Sequence, residues 1–284
     1  MFIETLERKS EEKQRQHKVC RSRGGESCAF DGAMIVLQPI ADAVHLVHGP
    51  ISCSANSWEG RGTLSKNGSF HKRGFTTDLR ELDLIVGSEQ RLLKVIEEII
   101  EETNPQAVFV YSTCVTGLLG EDLERICRDA EKKFGVDIIP VNAPGFIGPK
   151  NLGNRIAGEV LLDYVIGREE PSFTTDRAIN IIGEYNIAGD QYLIEPLLEE
   201  AEFRILSRIT GNSTYREIKW AHRAKLNVIV CSRALVNIGI EMEKKYGIPY
   251  VEVSFFGKTE TAQALRKIAS VLDKEGTLTE KVER

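Results

Sequence analysis

The chain has 284 residues, 42% of them hydrophobic and 28% charged, with a formal net charge of −5. A length of this order fits two ordinary domains, and the acidic balance gives no reason to expect nucleic acid or an anionic membrane as partner. No apolar run approaches the roughly 20 residues of a membrane-spanning helix. The charged start, MFIETLERKSEEKQRQHKVCRSRGG, lacks the apolar stretch of a secretory signal, so the expected location is the cytoplasm.

Residues 1–25 are polar, lack periodicity and read as a flexible arm. LDLIVGS (82–88) reads as a buried strand, and RLLKVIEEIIEETN (91–104) has helical spacing and stops at Pro105. AVFVYSTC (107–114) is a strand, LLGEDLERICRDAEKKFG (118–135) a helix closing on Gly135, and DIIPV (137–141) a third strand. The β-α-β-α-β rhythm implies a parallel sheet with helices on its faces.

The polar connection REEPSFTTDR (168–177) ends a first domain over residues 26–175. The rhythm restarts over 176–284 with AINIIGEYN (178–186), a helix over 190–201 and FRILSRITG (203–211). NVIVCS (227–232), ALVNIGIEMEKKYG (234–247), PYVEVSFFG (249–257) and TETAQALRKIASVLDKEG (259–276) follow as strand, helix, strand and helix. The expected fold is α/β, with two Rossmann-like domains whose parallel sheets are flanked by helices.

The six cysteines, Cys20, Cys28, Cys53, Cys114, Cys127 and Cys231, contain no CxxC pair. In a reducing compartment each is a small buried hydrophobe, a ligand or a nucleophile. Ligands of open parallel sheets collect at the carboxyl ends of the strands, where Cys114 and Cys231 end their strands. Cys53 follows a Gly-Pro turn after AVHLV. A thiolate near a helix N-terminus is favoured by the helix dipole. Cys28, Cys53 and Cys114 can meet only through the fold, and three buried cysteines at strand ends is the simpler reading of position alone.

No phosphate loop, no GxGxxG after a strand and no HExxH is present. His45 and His48 lie three apart, a spacing that serves a metal on a helix, although satisfied polar residues beside an apolar run is the plainer reading. Asp78, Asp83, Glu121 and Asp122 read as caps and solvated charges. Cys127, inside a helix, reads as core, and Cys20, among charges, as an exposed thiol.

The run CAFDGAMIVLQPIADAVHLVHGPISCSANSWEGRG (28–62) closely resembles the α-type subunits of the nitrogenase component 1 superfamily. FTTDL (75–79), VFVYSTCVTGLLGEDL (108–123), NAPGFIGPKNLGNRIAGE (142–159), GEYNIAGD (183–190) and YGIPYVEVSFFG (246–257) continue the likeness in order. It extends from Cys28 to about Asp273, and the wording most resembles the branch that assembles the iron–molybdenum cofactor.

The resemblance implies that Cys28, Cys53 and Cys114 hold an iron–sulfur cluster at the junction of paired subunits. A [4Fe-4S] cubane usually takes four thiolates, so the fourth would come from a NifN-like β-type partner in a heterotetramer. Cys231 matches the cysteine that ligates the cofactor in catalytic subunits, and here implies a ligand for an iron–molybdenum cofactor precursor. Arg61 falls where those subunits place a cofactor-facing arginine, though a solvated loop arginine is an equal reading. The family also implies transient contact with the nitrogenase iron protein. Trp58 and Phe75 read as packing residues around the cluster loop.

Two departures bear on function. Asn154 and Arg155 stand where catalytic subunits carry a His-His pair, and Lys150 stands where a glutamine usually contacts the cofactor's organic acid. Loss of a histidine that delivers protons near neutral pH favours a scaffold over a dinitrogen-reducing subunit. The family's α-type subunits also have three α/β domains, and only two are expected here. The leading expectation is a scaffold for cofactor biosynthesis. The alternatives are an α subunit of a nitrogenase-like oxidoreductase and a truncated paralogue without a metal site.

Overall fold

A computed structural model describes residues 27–58, 73–230 and 235–272. Within them lie two four-stranded parallel sheets. The first contains β1 (Val44–His48), β2 (Gly74–Thr76), β3 (Ala107–Ser112) and β4 (Asp137–Val141), in the order β2-β1-β3-β4. The second contains β5 (Ala178–Ile182), β6 (Arg204–Ile209), β7 (Leu226–Ile229) and β8 (Tyr250–Glu252), in the order β6-β5-β7-β8. This is the expected α/β architecture. Strands β1, β3 and β5 are buried along their whole length, which is why they read as unbroken apolar runs.

The helices are α1 (Ala29–Leu37), α2 (Ile51–Trp58), α3 (Glu81–Val86), α4 (Glu89–Thr103), α5 (Cys114–Leu119) and α6 (Leu123–Phe134). They continue with α7 (Lys150–Tyr164), α8 (Gln191–Glu200), α9 (Tyr215–Lys219), α10 (Val236–Tyr246) and α11 (Lys258–Leu272). Helix α4 buries Leu92, Ile96 and Ile99, one face at helical spacing, and ends on Asn104 in the left-handed conformation. Helix α6 starts where Asp122 accepts the Arg125 N–H at 3.0 Å and stops at left-handed Gly135.

Helices α4 and α6 cover the outer face of the first sheet, with Leu92, Ile96, Leu123 and Cys127 in one core with Val44 and Val108. Helices α8 and α11 cover the second sheet through Ile194, Leu198 and Ile268. A third core is shared between the sheets. It joins Met34 and Leu37 of α1, Phe109 and Tyr111 of β3, Leu161 of α7, Ile182, Ile209 and Ile229 of the second sheet, and Ile238 of α10.

At its centre α1, all nine of whose residues are buried, crosses α7 at backbone contact. A Cβ on Gly153 would lie 1.8 Å from the Ala29 carbonyl oxygen, and one on Gly32 would lie 2.0 Å from that of Lys150. Only glycine permits this approach.

Two expectations fail. Residues 82–88 are not a strand: 81–86 form α3, in which Leu82, Ile85 and Val86 are exposed. The Asp83 carboxylate accepts the Arg80 N–H at 2.9 Å and starts the helix, while β1 already has β2 and β3 as its two neighbours. The helix expected over 118–135 is two helices, broken at left-handed Gly120 and restarted by the Asp122 cap.

Candidate metal centre

Cys53 and Cys114 lie on the connections that follow β1 and β3 at the carboxyl end of the first sheet, and Cys28 lies at the start of α1. Cys53 is the third residue of α2, which follows β1 through Gly49-Pro50, and its N–H donates to the Pro50 carbonyl at 3.1 Å. Cys114 opens α5 directly after β3. Cys28 is the N-cap of α1, in extended backbone conformation. It bridges Pro149, with Ala29 N–H on Gly148 O at 2.9 Å and Lys150 N–H on Ser27 O at 2.8 Å.

Gly145, in the 3₁₀ turn Gly145–Ile147 after β4, lies between two of these thiols. A Cβ there would stand 3.0 Å from both the Cys28 and Cys114 sulfurs, so the two sulfurs are no farther apart than twice that distance. Gly117 of α5 packs as closely on Pro144, where a Cβ would meet the ring at 2.7 Å. Gly49 packs on Thr113, where a Cβ would meet Oγ1 at 2.3 Å. The connections bearing Cys53, Cys114 and Gly145 are thus seated on one another through small residues.

Cys28 and Cys53 are half-buried and Cys114 is exposed, so the reading of three buried core cysteines fails. Burial pushes the Cys53 thiol above its ordinary range, and the neighbouring charges of Cys114 and Cys28 push it the same way. The three thiols therefore lie near enough for their charges to act on one another. Cys127 is buried in the core beneath α6, and burial raises its thiol pKa steeply.

Among the described residues no three His, Cys, Asp or Glu side chains are close enough to hold a single metal ion. A lone tetrahedral ion draws its sulfurs to about 2.3 Å, whereas a cluster takes each thiolate on a different iron. Two soft donors, Cys28 and Cys114, on either side of a space that a Cβ would fill, with the Cys53 thiol nearby, fit the second arrangement.

The thiols are rimmed by exposed apolar side chains on the same elements: Ile51, Leu118, Leu119, Phe146 and Ile147.

The remaining expected site residues divide. Arg61 and Cys231 lie outside the described residues, as does Cys20. Lys150 is exposed at the start of α7. Asn154, one turn on, is buried, and its amide oxygen has no hydrogen-bond partner among the described residues. Arg155 faces outward and pairs with Glu159 at 2.9 Å. Phe75 packs at the edge of the first sheet's outer core, and the Trp58 side chain is outside the described set.

His45 and His48 lie on a strand, so their spacing of three turns them to opposite faces. His45 Nδ1 meets the Tyr111 hydroxyl at 2.7 Å. His48 Nε2 meets Glu121 at 2.9 Å. Glu121 is therefore not a cap or a solvated charge: it turns inward to a buried imidazole. Its sequence offers no sign of this, because the partner is 73 residues away.

Residues 28–284 match the family model of the nitrogenase component 1 type oxidoreductases. The chain is 55% identical over 266 residues to the nitrogenase iron–molybdenum cofactor biosynthesis protein NifE of Nostoc sp., covering 94% of this chain and 55% of that protein. To NifE of Rippkaea orientalis it is 53% identical, covering 93% and 55%. The solved structure of nitrogenase Cp1 at pH 5 superposes with a TM-score of 0.86 at 33% identity, covering 93% of this chain and 55% of that one. The chain spans about half the length of the curated relatives it matches. Parallel sheets, a shared glycine-crossed core and ordered sequence likeness across nine-tenths of its length agree, and the chain belongs to the nitrogenase component 1 type oxidoreductase family.

Proposed function

We propose that this chain is part of a NifE-like scaffold subunit in biosynthesis of the nitrogenase iron–molybdenum cofactor. In this reading it pairs with a NifN-like β-type subunit in a cytoplasmic heterotetramer. The pair shares a [4Fe-4S] cluster and hosts a cofactor precursor, with the nitrogenase iron protein as transient partner. Among the described residues no helix is long and apolar enough to cross a membrane.

The observation that carries the reading is the convergence of Cys28, Cys53 and Cys114 inside an exposed apolar rim. Three thiols leave a cubane one ligand short, and the apolar rim supplies the surface on which a chain bearing the fourth would sit. The thiols must lose their protons to bind, so loading releases protons. An iron–sulfur group, when bound, supplies electron storage and a covalent tie between two chains. Ile51, Leu118 and Phe146 exclude water once a partner covers them.

Lys150, Asn154, Arg61 and Cys231 belong to the precursor-facing part of the proposal. Asn154 holds a buried amide oxygen that can accept a hydrogen bond but bears no titratable proton. Such a residue can orient a bound group without delivering protons to it.

The test is iron and sulfide content, with an electron paramagnetic resonance spectrum of the reduced sample, after anaerobic co-purification with a NifN-like partner. A cubane signal present only in the paired complex and lost in Cys53→Ala supports the reading. Full iron in Cys53→Ala overturns the ligand assignment, and acetylene or dinitrogen reduction by the reconstituted complex overturns the scaffold.

A further inference from the structure

Behind the thiols lies a polar network that ligation itself does not use. His48, the last residue of β1, is fully buried. Its Nε2 stands 2.9 Å from Glu121 Oε2, and its Nδ1 stands 3.1 Å from Thr77 Oγ1. Ser88, buried before α4, donates its hydroxyl to the other Glu121 oxygen. Thr77 Oγ1 already accepts the Gly49 N–H at 3.0 Å. Its own proton is then free for Nδ1, which leaves the Nε2 proton for the carboxylate. In that tautomer every polar atom of the network has a partner.

The network's ends are what give it a role. His48 is followed by Gly49-Pro50 and then by α2, which carries Cys53. Glu121 lies just beyond α5, the helix that Cys114 opens. The main chain of His48 is held to α5 as well, since its carbonyl accepts from Thr113 Oγ1 at 3.1 Å and Thr116 Oγ1 at 3.3 Å. Cys28 and Gly145 take no part: they are fixed by the 148–150 bridge instead.

We infer that His48 and Glu121 form a strut that sets the spacing of Cys53 relative to Cys114 before any metal arrives. The two are positioning residues, acting through the connections and touching no thiol. The inference rests on the cluster-holding reading for its purpose, but not for its geometry. A charge-assisted bond of 2.9 Å at a buried imidazole is worth about a tenfold bias toward the closed arrangement. A constellation of ligands needs placement within about 0.5 Å to load well.

The experiment uses the full chain without metal, under anaerobic conditions, with a short bis-alkylating reagent. The cross-linked cysteine pairs are identified by peptide mass spectrometry. In Glu121→Ala the Cys53–Cys114 cross-link should fall about tenfold, while Cys28–Cys114 stays at the wild-type level. Glu121→Gln keeps an oxygen for Nε2–H, and Ser88 can turn to accept from its amide, so this variant should restore the Cys53–Cys114 yield. In the complex with a NifN-like partner, Glu121→Ala should shift the g-values or midpoint potential of the reduced cluster, and Glu121→Gln should not.

A parallel loss of both cross-links would mean general loosening and overturn the strut. No change in either would overturn it equally. If the variants show the selective pattern but the wild-type protein never acquires iron, the strut stands and the cluster-holding reading fails.

Discussion

Replacing Gly145 with alanine isolates the metal centre from the rest of the fold. The backbone at Gly145 is outside the left-handed region, so alanine brings no conformational strain there. The added carbon would stand 3.0 Å from the sulfurs of Cys28 and Cys114 and 3.1 Å from the Cys28 Cβ. Ordinary contact begins at 3.4 Å, so each sulfur must retreat by 0.4 Å. At each of the two ligands such a retreat uses up most of the roughly 0.5 Å tolerance of a functional constellation. Stability should change by about 1 kcal/mol or less, under the usual range of core overpacking, because the exposed Cys114 thiol can rotate away. The variant should therefore unfold in denaturant like the wild type. Iron content of the anaerobic complex and the yield of the Cys28–Cys114 cross-link should both fall severalfold. Wild-type iron together with a wild-type cross-link would refute the claim that Gly145 keeps the ligand space open.

Other perturbations address the partner, the pH response and the helix crossing. Phe146→Asp places a charge on the apolar rim at a side chain 55% exposed. It should leave folding stability within about 0.5 kcal/mol, yet weaken pairing with a NifN-like subunit, as read by size-exclusion chromatography. Burial holds the His45 imidazole at a pKa of about 3, below its ordinary 6.5. The unfolded chain then binds the extra proton first, so stability is intact above pH 6.5 and falls as pH drops toward 3. By pH 5 the loss should be about 2 kcal/mol, and urea titrations of His45→Asn should show a flatter profile over that window. Gly153→Ala drives a carbon to 1.8 Å from backbone and should cost about 3 kcal/mol or more. Gly120→Ala meets nothing within 4 Å and strains only a left-handed φ of 69°, so about 1–2 kcal/mol is expected in the same assay.

The strands and amphipathic helices were the legible part of the fold, because their signals are local. DIIPV is strand β4 residue for residue, and the helix expected over 91–104 is observed at 89–103. Residues 82–88 misled because a short apolar run has no period to separate strand from helix. Its apolar side chains face outward here, so burial could not arbitrate either. Helices α1 and α7 carried no clear amphipathic period: α1 is buried all round, and α7 buries small residues against it. In the site, Cys53 and Cys114 stood out by position, but Cys28, Cys53 and Cys114 were joined as a ligand set only through the family resemblance. Their convergence depends on β1 and β3 being neighbours and on the bridge from Cys28 to Pro149, both long-range pairings. Gly145 and Glu121 were missed for the same reason, since a glycine or a glutamate says nothing of a partner dozens of residues away.

That long-range geometry also explains why the departures at Lys150 and Asn154 belong to the same mechanical unit as the thiols. Helix α7 begins where the Lys150 N–H holds Ser27, next to Cys28. One turn later Gly153 lies on the backbone of Ala29, and Asn154 follows it into the interior. A turn beyond, Gly158 lies against Ile238 of α10 in the second sheet's layer, where a Cβ would meet the side chain at 2.9 Å. Contacts at backbone distance leave no slack, and close-packed interiors transmit displacement instead of absorbing it. Cys28 and Asn154 therefore keep a fixed relation, and any shift of α1 on loading the thiols carries α7 with it. In the proposed scaffold, such stiffness would hold a metal group at one end and the non-titrating Asn154 amide at the other in fixed relation. Here it comes from two glycines whose missing side chains let α1 and α7 touch.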